Sequence, residues 1–107
     1  MIIDPRHLEQ ISIILDAGTL QRAATQIGTS QPALSRMIRT LESRIDAALF
    51  EPNRRPLQPT ALGLELANQG RAFRVARERA VDLVDEGRRG VVGALQIGIG
   101  AAGSVLG

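Results

Sequence analysis

Four residue types are missing from this chain of 107 residues, namely cysteine, lysine, tyrosine and tryptophan, and its only histidine is His7. The absence of cysteine excludes disulfides, thiolate metal ligands and cysteine nucleophiles. A single histidine argues against a metal centre and against histidine-based catalysis, and its place in the first turn of a predicted helix favours an exposed side chain without a function. Because no nucleophile, base and metal ligands converge, we predict no catalytic residue, no metal site, no cofactor and no enzymatic activity.

Long apolar runs are also missing. No stretch approaches the roughly 20 apolar residues that a membrane-spanning helix needs. The N-terminus lacks the charged and apolar regions of a signal peptide. We therefore expect a soluble, cytoplasmic chain with no membrane partner. Its length fits one small domain with a modest core and an appendage.

Positive charge is present but modest. All 13 basic residues are arginine, and 11 acidic residues leave a net charge of only +2. So small a net charge says little about whether the chain binds nucleic acid. The evidence for such a partner therefore has to come from where the arginines lie in the sequence. Residues 30–45 hold three arginines against one glutamate, and Arg54 and Arg55 follow shortly after. The basic residues are therefore concentrated where a nucleic acid could be bound.

Residues 20–39 have the pattern of a helix-turn-helix. Ala24 is small where the first helix must approach the second closely. Gly28, four residues later, suits the positive φ with which a helix often ends. Leu34 and Met37 supply the apolar side chains that the second helix needs for docking. Together these offsets predict two helices joined by a tight turn.

The second helix of this motif, residues 30–45, is predicted to bind DNA. Thr29 or Ser30 can cap it, and Pro32 in its first turn costs no hydrogen bond. Its outward side chains are hydrogen-bonding groups suited to base edges and phosphates. They are Gln31, Ser35, Arg36 and Arg39.

Each of these side chains also has a structural interpretation. Gln31 and Ser35 could serve as caps or be merely solvated. Arg39 could pair with Glu42, three residues further along the helix. Arg44 could be structural or could lie near a phosphate at the margin of the surface.

The flanking sequence completes a recognisable architecture. Asp4 and Pro5 predict the start of a first helix, and Gly18 predicts its end. Residues 49–59 contain three prolines around a polar Asn-Arg-Arg tip, which predicts a short turn or a two-stranded wing. The predicted fold is therefore mainly α, a winged helix-turn-helix followed by one long helix.

The long helix is predicted to start at Thr60, which can cap it, and to extend for about 28 residues, or roughly 40 Å. Its apolar and small positions alternate spacings of four and three residues, as in the seam of a coiled coil. A seam without a partner in the chain favours pairing with a second copy, and the alternative is a helix folded back on its own domain. The predicted dimer-interface residues are Leu62, Leu66, Gln69, Phe73, Ala76, Ala80 and Leu83. The arginines expected on a solvated flank are Arg71, Arg74, Arg77 and Arg79.

The composition changes abruptly at Gly90. Glycines break the helix there, and residues 94–100 alternate like a strand. Because one strand cannot stand alone, this end is expected to be the front of a further domain. The glycines lack a GxGxxG match, which favours a linker over a nucleotide-binding loop. The predicted division is 1–59 for the winged helix-turn-helix, 60–89 for the long helix, and 90–107 for a hinge and the start of that domain.

In this order the elements resemble the N-terminal part of LysR-type transcriptional regulators, over essentially the whole chain. The tail from Gly93 to Gly98 is similar to the hinge and first strand of the family's effector-binding domain, the rest of which is missing here. The other matching residues are Ala23-Ala24, the run Ser30-Gln31-Pro32-Ala33-Leu34-Ser35, Ile38, Leu41-Glu42, Leu49-Phe50, Arg55, Thr60 and Gly63.

The resemblance implies a bacterial, sequence-specific transcription regulator that binds double-stranded DNA. It implies a homodimer formed through the long helix, often a tetramer in a full-length protein, on a dyad-symmetric promoter site. A small-molecule effector would act only through the downstream domain. The implied DNA-binding residues are Thr29, Ser30, Gln31, Pro32, Ser35, Arg36, Arg39, Arg54 and Arg55.

Three residues depart from the family pattern. Asp46 stands where the family usually has glycine, so we expect a reshaped turn after the recognition helix. Pro52 replaces a usual arginine, which removes a phosphate contact that Arg54 would have to supply. Pro59 replaces a usual leucine, and we expect it to weaken pairing at the end of the wing.

One function of a different class remains open at this point. The helix-turn-helix could serve only as a protein-interaction or dimerisation module, for example in a truncated chain that titrates a full-length partner. Only DNA recognition predicts salt-dependent binding to duplex DNA that prefers one sequence.

Overall fold

The computed structural model describes residues 1–90, and the predicted strand at 94–100 lies outside them. The prediction of a mainly α fold with a long last helix is confirmed. The helices are α1 (Pro5–Ala17), α2 (Leu20–Ile27), α3 (Gln31–Ile45) and α4 (Ala61–Arg88). We call residues 61–74 the first half of α4 and residues 75–88 its second half.

Helix starts follow from local capping. In each helix an oxygen of the preceding side chain accepts a hydrogen bond from a backbone N–H of the first turn, at 2.9–3.2 Å. Of the two candidates for α3, the cap is Ser30, while the Thr29 N–H donates to the Ala24 C=O and closes α2. The four caps are Asp4, Thr19, Ser30 and Thr60.

The turn after α3 keeps the shape that glycine would give it. Asp46 adopts the left-handed conformation, with φ 54° and ψ 46°. Its N–H and that of Ala47 both point to the Glu42 C=O, which closes the helix. The expectation of a reshaped turn is therefore wrong, because aspartate tolerates this conformation better than most residues, at some cost in strain.

The core is one apolar cluster shared by all four helices and the wing. Ala24 is buried, as the close approach of α2 and α3 requires, and Met37 packs half-buried against the cluster. The buried members are Leu8, Ile11, Ile14, Ala23, Ala24, Leu34, Ile38, Leu41, Leu49, Phe50 and Ala67.

Leu49 is the point at which α3, the wing and α4 meet. Its N–H donates to Glu42 Oε2 at 2.7 Å, and its C=O accepts from the Thr60 N–H at 3.0 Å. A Cβ on Gly63 would overlap this carbonyl, so glycine allows α4 to begin against it. Thr60 Oγ1 also donates to the Ala48 C=O at 2.7 Å. Three residues that carry the resemblance, Glu42, Thr60 and Gly63, thus have a structural role.

The wing contains one antiparallel bridge, between Phe50 and Pro59. We expected Pro59 to weaken pairing, yet the bridge forms, because its hydrogen bonds come from the neighbours of the pair and need no N–H on residue 59. These bonds are Glu51 N–H to Gln58 C=O at 2.8 Å and Thr60 N–H to Leu49 C=O at 3.0 Å.

The first half of α4 packs on its own domain through small residues. Gly63, Ala67 and Gly70 are buried and share one helix face. A Cβ on Gly70 would overlap the Leu8 carbonyl, so the backbones of α4 and α1 are in contact. Leu66 of the predicted dimer seam is half-buried against the same core. The fold-back alternative thus holds for this half, and Leu66 does have a burial partner within the chain.

Polar contacts also join α4 to α1. We call Ser12, Asp16, Arg71 and Arg74 the Asp16 cluster. Arg71 Nη2 donates to Asp16 Oδ1 at 2.6 Å. Arg74 Nη1 donates to Ser12 Oγ at 3.1 Å and to Asp16 Oδ2 at 3.3 Å. The expectation that Arg71 and Arg74 lie on a solvated flank is wrong, because the buried Ser12 and the Asp16 carboxylate of α1 bind them.

The second half of α4 has a different character. None of its residues is buried, and Arg79 pairs with Glu86 at 3.3 Å along the helix. Within residues 1–90 no helix is long and apolar enough to cross a membrane. The large apolar side chains that the second half of α4 exposes are Val75, Val81, Leu83 and Val84.

Candidate DNA-binding surface

The predicted recognition helix presents one continuous polar face. Gln31, Pro32, Arg36 and Arg39 are exposed, and Ser35 between them is half-buried. The buried Leu34, Ile38 and Leu41 lie on the opposite side and anchor α3 to the core. Because packing holds this helix from behind, its outer side chains are presented on a rigid support.

Arg39 is oriented by its own helix. Its Nη1 donates to Ser35 Oγ at 2.8 Å, one turn earlier. The alternative pairing with Glu42 is not observed, and Glu42 Oε2 instead accepts from the Leu49 N–H. Arg36 makes no hydrogen bond within the described residues, so its guanidinium donors are available to a ligand.

The wing brings two further arginines close to the start of α3. Arg54 and Arg55 are exposed, and with Gln31 they line a cleft of about 330 Å³. The Leu57 N–H donates to the Gly18 C=O at 3.3 Å, which ties the wing to the α1–α2 turn. Gln31 at the start of α3 and the two wing arginines thus line one cleft.

Two predicted DNA-binding residues already have structural roles at the start of α3. Ser30 Oγ is occupied as the helix cap, and Thr29 contributes its N–H to the end of α2. Both are nevertheless exposed beside Gln31. Pro52 is exposed in the wing and supplies no cation, while Arg54 lies two residues further on.

The predicted dimer-interface residues fall into two groups. Within the first half of α4, Leu62, Gln69 and Phe73 are exposed, and Leu66 is half-buried against the core described above. Within the second half, all the predicted residues are exposed: Ala76, Ala80 and Leu83.

Sequence reasoning missed the contacts that fix the long helix. Asp16 and its arginine partners are more than 50 residues apart in the chain, so no local pattern joins them. The small-residue spacing of Gly63, Ala67 and Gly70 is visible in the sequence and could have indicated a close-packed face. Within residues 1–90, no group of histidines and carboxylates is arranged to hold a metal ion.

A helix-turn-helix packed on α1, with a wing and an exposed arginine-bearing recognition helix, defines a winged helix-turn-helix of the DNA-binding class. Comparison with known proteins specifies the family. Residues 5–64 match the model of the bacterial regulatory helix-turn-helix protein, lysR family. Since the match covers more than half of the chain, the protein belongs to the LysR family of DNA-binding transcriptional regulators, which is not a family of enzymes. The prediction of a non-enzymatic protein is thereby confirmed.

Relatives of known role are longer than this chain. It is 40% identical over 83 residues to the small neutral protease regulatory protein of Streptomyces coelicolor, covering 78% of this chain and 25% of that protein. It is 34% identical over 95 residues to the transcriptional activator protein LysR of Escherichia coli, covering 89% and 30%. The chain thus spans less than a third of either relative.

Solved structures with the same fold include complexes with DNA. The DNA-binding domain of BenM on a catB site matches with a TM-score of 0.70 at 24% identity, over 82% of this chain and 95% of that one. The DNA-binding domain of CbnR bound to DNA matches with a TM-score of 0.64, over 80% and 99%. These likenesses establish the fold, and the chain corresponds to the DNA-binding part of the longer family members.

Proposed function

We propose that this chain binds specific sequences in promoter DNA in the bacterial cytoplasm, as a homodimer on a dyad-symmetric site. In this proposal α3 enters the major groove and the wing contacts the adjacent backbone. The observation that carries the proposal is the exposed polar face of α3, where Arg36 makes no hydrogen bond to any residue from 1 to 90.

The side chains of this face suit the edges of base pairs. A major groove about 12 Å wide admits an α-helix, and arginine donates two parallel hydrogen bonds to guanine. Arg36 and Gln31 are exposed and unpaired within the described residues, so they are the groups we assign to base contacts. Arg39, held by Ser35, and Arg55 on the wing are assigned to phosphates.

Two copies are needed to bind a dyad-symmetric site. In the second half of α4, Leu83 is 39% exposed, and the predicted seam places it with Ala76 and Ala80. Phe73, in the first half, is 41% exposed. Pairing of two such helices would bury these residues and present two recognition helices to successive turns of the groove.

The test is fluorescence anisotropy with labelled duplexes, after selection of bound fragments from a genomic library. Arg36→Ala should cost about 1–3 kcal/mol on a selected site and much less on random duplex, because a base contact is lost. Arg55→Ala should weaken both duplexes similarly and lower the salt slope by about one. Arg88→Ala, at the far end of α4, is the matched control and should change neither.

Two results would count against this assignment. Equal losses on selected and random duplex for Arg36→Ala would show that it contacts phosphate only. Failure of selection to enrich any fragment, with the wild-type chain folded, would contradict sequence-specific recognition itself and favour a protein-interaction module.

A further inference from the structure

A second cleft borders the recognition helix on the flank away from the wing. It has a volume of about 340 Å³ and separates α3 from the beginning of α1. Arg36, Thr40 and Arg44 lie along α3 at intervals of four residues, roughly half a turn around the helix from Gln31. His7 contributes the α1 side. The apolar lining residues are Ala33, Met37 and Leu41.

The charges around this cleft favour an anion. From α3 it receives the guanidinium groups of Arg36 and Arg44. From α1 it receives His7, with Asp4 and Arg6 nearby in the same first turn. Arg6 Nη2 donates to Asp4 Oδ2 at 2.9 Å, and this hydrogen bond keeps the pKa of Asp4 below its ordinary value. The Asp4 carboxylate near His7 therefore stays ionised and is paired with Arg6.

The groups lining the cleft are available to a ligand. The side chains of His7, Arg36, Thr40 and Arg44 make no hydrogen bond within residues 1–90. Thr40 and both arginines are exposed, and His7 is half-buried at the edge of α1. A hydroxyl, an imidazole and a guanidinium at the rim of one cleft suit the oxygens of a phosphodiester.

We propose that this cleft holds a backbone phosphate of the bound DNA, with His7, Thr40 and Arg44 as its ligands. The inference rests on the proposed function, because α3 must enter the major groove before its flanks can meet the two backbones. Arg55 and the wing would then contact the sugar-phosphate backbone on one side of the groove, and the α1–α3 cleft would contact the backbone on the other side. Arg36 lines the cleft on the side nearer the centre of the recognition face.

With His7 beside a phosphate, DNA binding should depend on pH. Histidine changes its charge near neutrality, whereas arginine remains charged throughout. A phosphate beside His7 favours the imidazolium form, so binding takes up a proton and affinity should rise as the pH falls. The other cationic side chains are all arginine, so His7 and the N-terminal amine are the cationic groups that can give this response, and substitution of His7 separates the two.

The experiment measures binding of the 107-residue chain to a random-sequence duplex at several salt concentrations. Between about pH 7.5 and about pH 5.8, wild type should bind roughly threefold more tightly, with a salt slope steeper by up to about 0.9. His7→Gln should abolish this pH response. Arg44→Gln should lower the salt slope by about 0.9 at both pH values, and Arg88→Gln is the matched control.

The outcomes separate the two proposals. If wild type binds duplex and His7→Gln shows the same pH response as wild type, the cleft assignment is overturned while the proposed function stands. If no duplex is bound at either pH, both fail. Should His7→Gln not fold, an unchanged salt slope in Arg44→Gln would overturn the cleft assignment by itself.

Discussion

The two halves of α4 belong to one helix, but their side chains are arranged on different principles. The first half buries Gly63, Ala67 and Gly70, and places two arginines in the Asp16 cluster. The second half buries nothing and exposes four large apolar side chains. The first half is completed by its own chain, whereas the second half has apolar surface that no described residue covers.

We propose that this one helix serves both folding and assembly. Small residues allow backbone contact, so the first half fixes where α4 leaves the winged helix. Exposed residues on the predicted seam, such as Leu83, provide surface that a second copy can bury, at about 1.5–3 kcal/mol for each side chain that becomes fully buried. Changes in the two halves should therefore affect different properties, stability in the first and association in the second.

The strongest test of the difference is the same substitution made in each half. Gly70→Ala should destabilise the fold by about 3 kcal/mol, because the new Cβ meets the Leu8 backbone, which cannot turn away as a side chain would. Gly87→Ala, at an exposed helical position, should instead stabilise by up to about 1 kcal/mol, since alanine is the better helix former. Chemical denaturation measures the change in unfolding free energy for both variants. Destabilisation of similar size in both would contradict the difference in packing between the two halves of α4.

A smaller effect is expected from the polar contacts of each half. Asp16→Asn removes the carboxylate of the Asp16 cluster and should cost about 1 kcal/mol, less at high salt, because the ion pairs are partly exposed. Glu86→Gln removes only the pair with Arg79 and should cost no more than about 0.5 kcal/mol. Thermal melts at low and high salt compare the two, and equal losses would show that the Asp16 cluster is merely a surface ion pair.

A substitution outside α4 should change the stability of the fold without changing the association of two copies. Asp46→Gly removes the backbone strain of a left-handed residue at the end of α3. It should stabilise the fold by roughly 0.5–1 kcal/mol, after the greater freedom of glycine in the unfolded chain is counted. Denaturation should show the gain while sedimentation remains as in wild type. A loss of stability would mean that the aspartate side chain stabilises this turn.

The parts that the sequence could predict are those decided locally. Caps such as Asp4 and Ser30, and the glycines at 18 and 28, act within a few residues, so they define the helices without knowledge of the fold. The inward face of α4 depends on the Leu8 and Leu49 carbonyls, which tertiary packing brings to it. The spacing of the small residues on that face is visible in the sequence, but the seam of larger residues determined the prediction instead.

The same limit applies to the DNA-binding surface. The recognition face follows from helical spacing, so Gln31, Arg36 and Arg39 could be predicted. The cleft at its flank could not, because it joins His7 to residues about thirty positions later through the packing of α1 on α3. His7 was expected to be exposed and without a function, but it is half-buried in a cleft lined by two arginines.

Sedimentation equilibrium of three proteins tests most directly whether the second half of α4 joins two copies. Wild type should be a dimer at micromolar concentrations. Leu83→Asp should be a folded monomer, because Leu83 is 39% exposed and lies on the predicted seam. Val75→Asp is the control: Val75 is 61% exposed but lies off the seam, so this variant should remain a dimer. A monomeric wild type, or equal dissociation of both variants, would contradict the account.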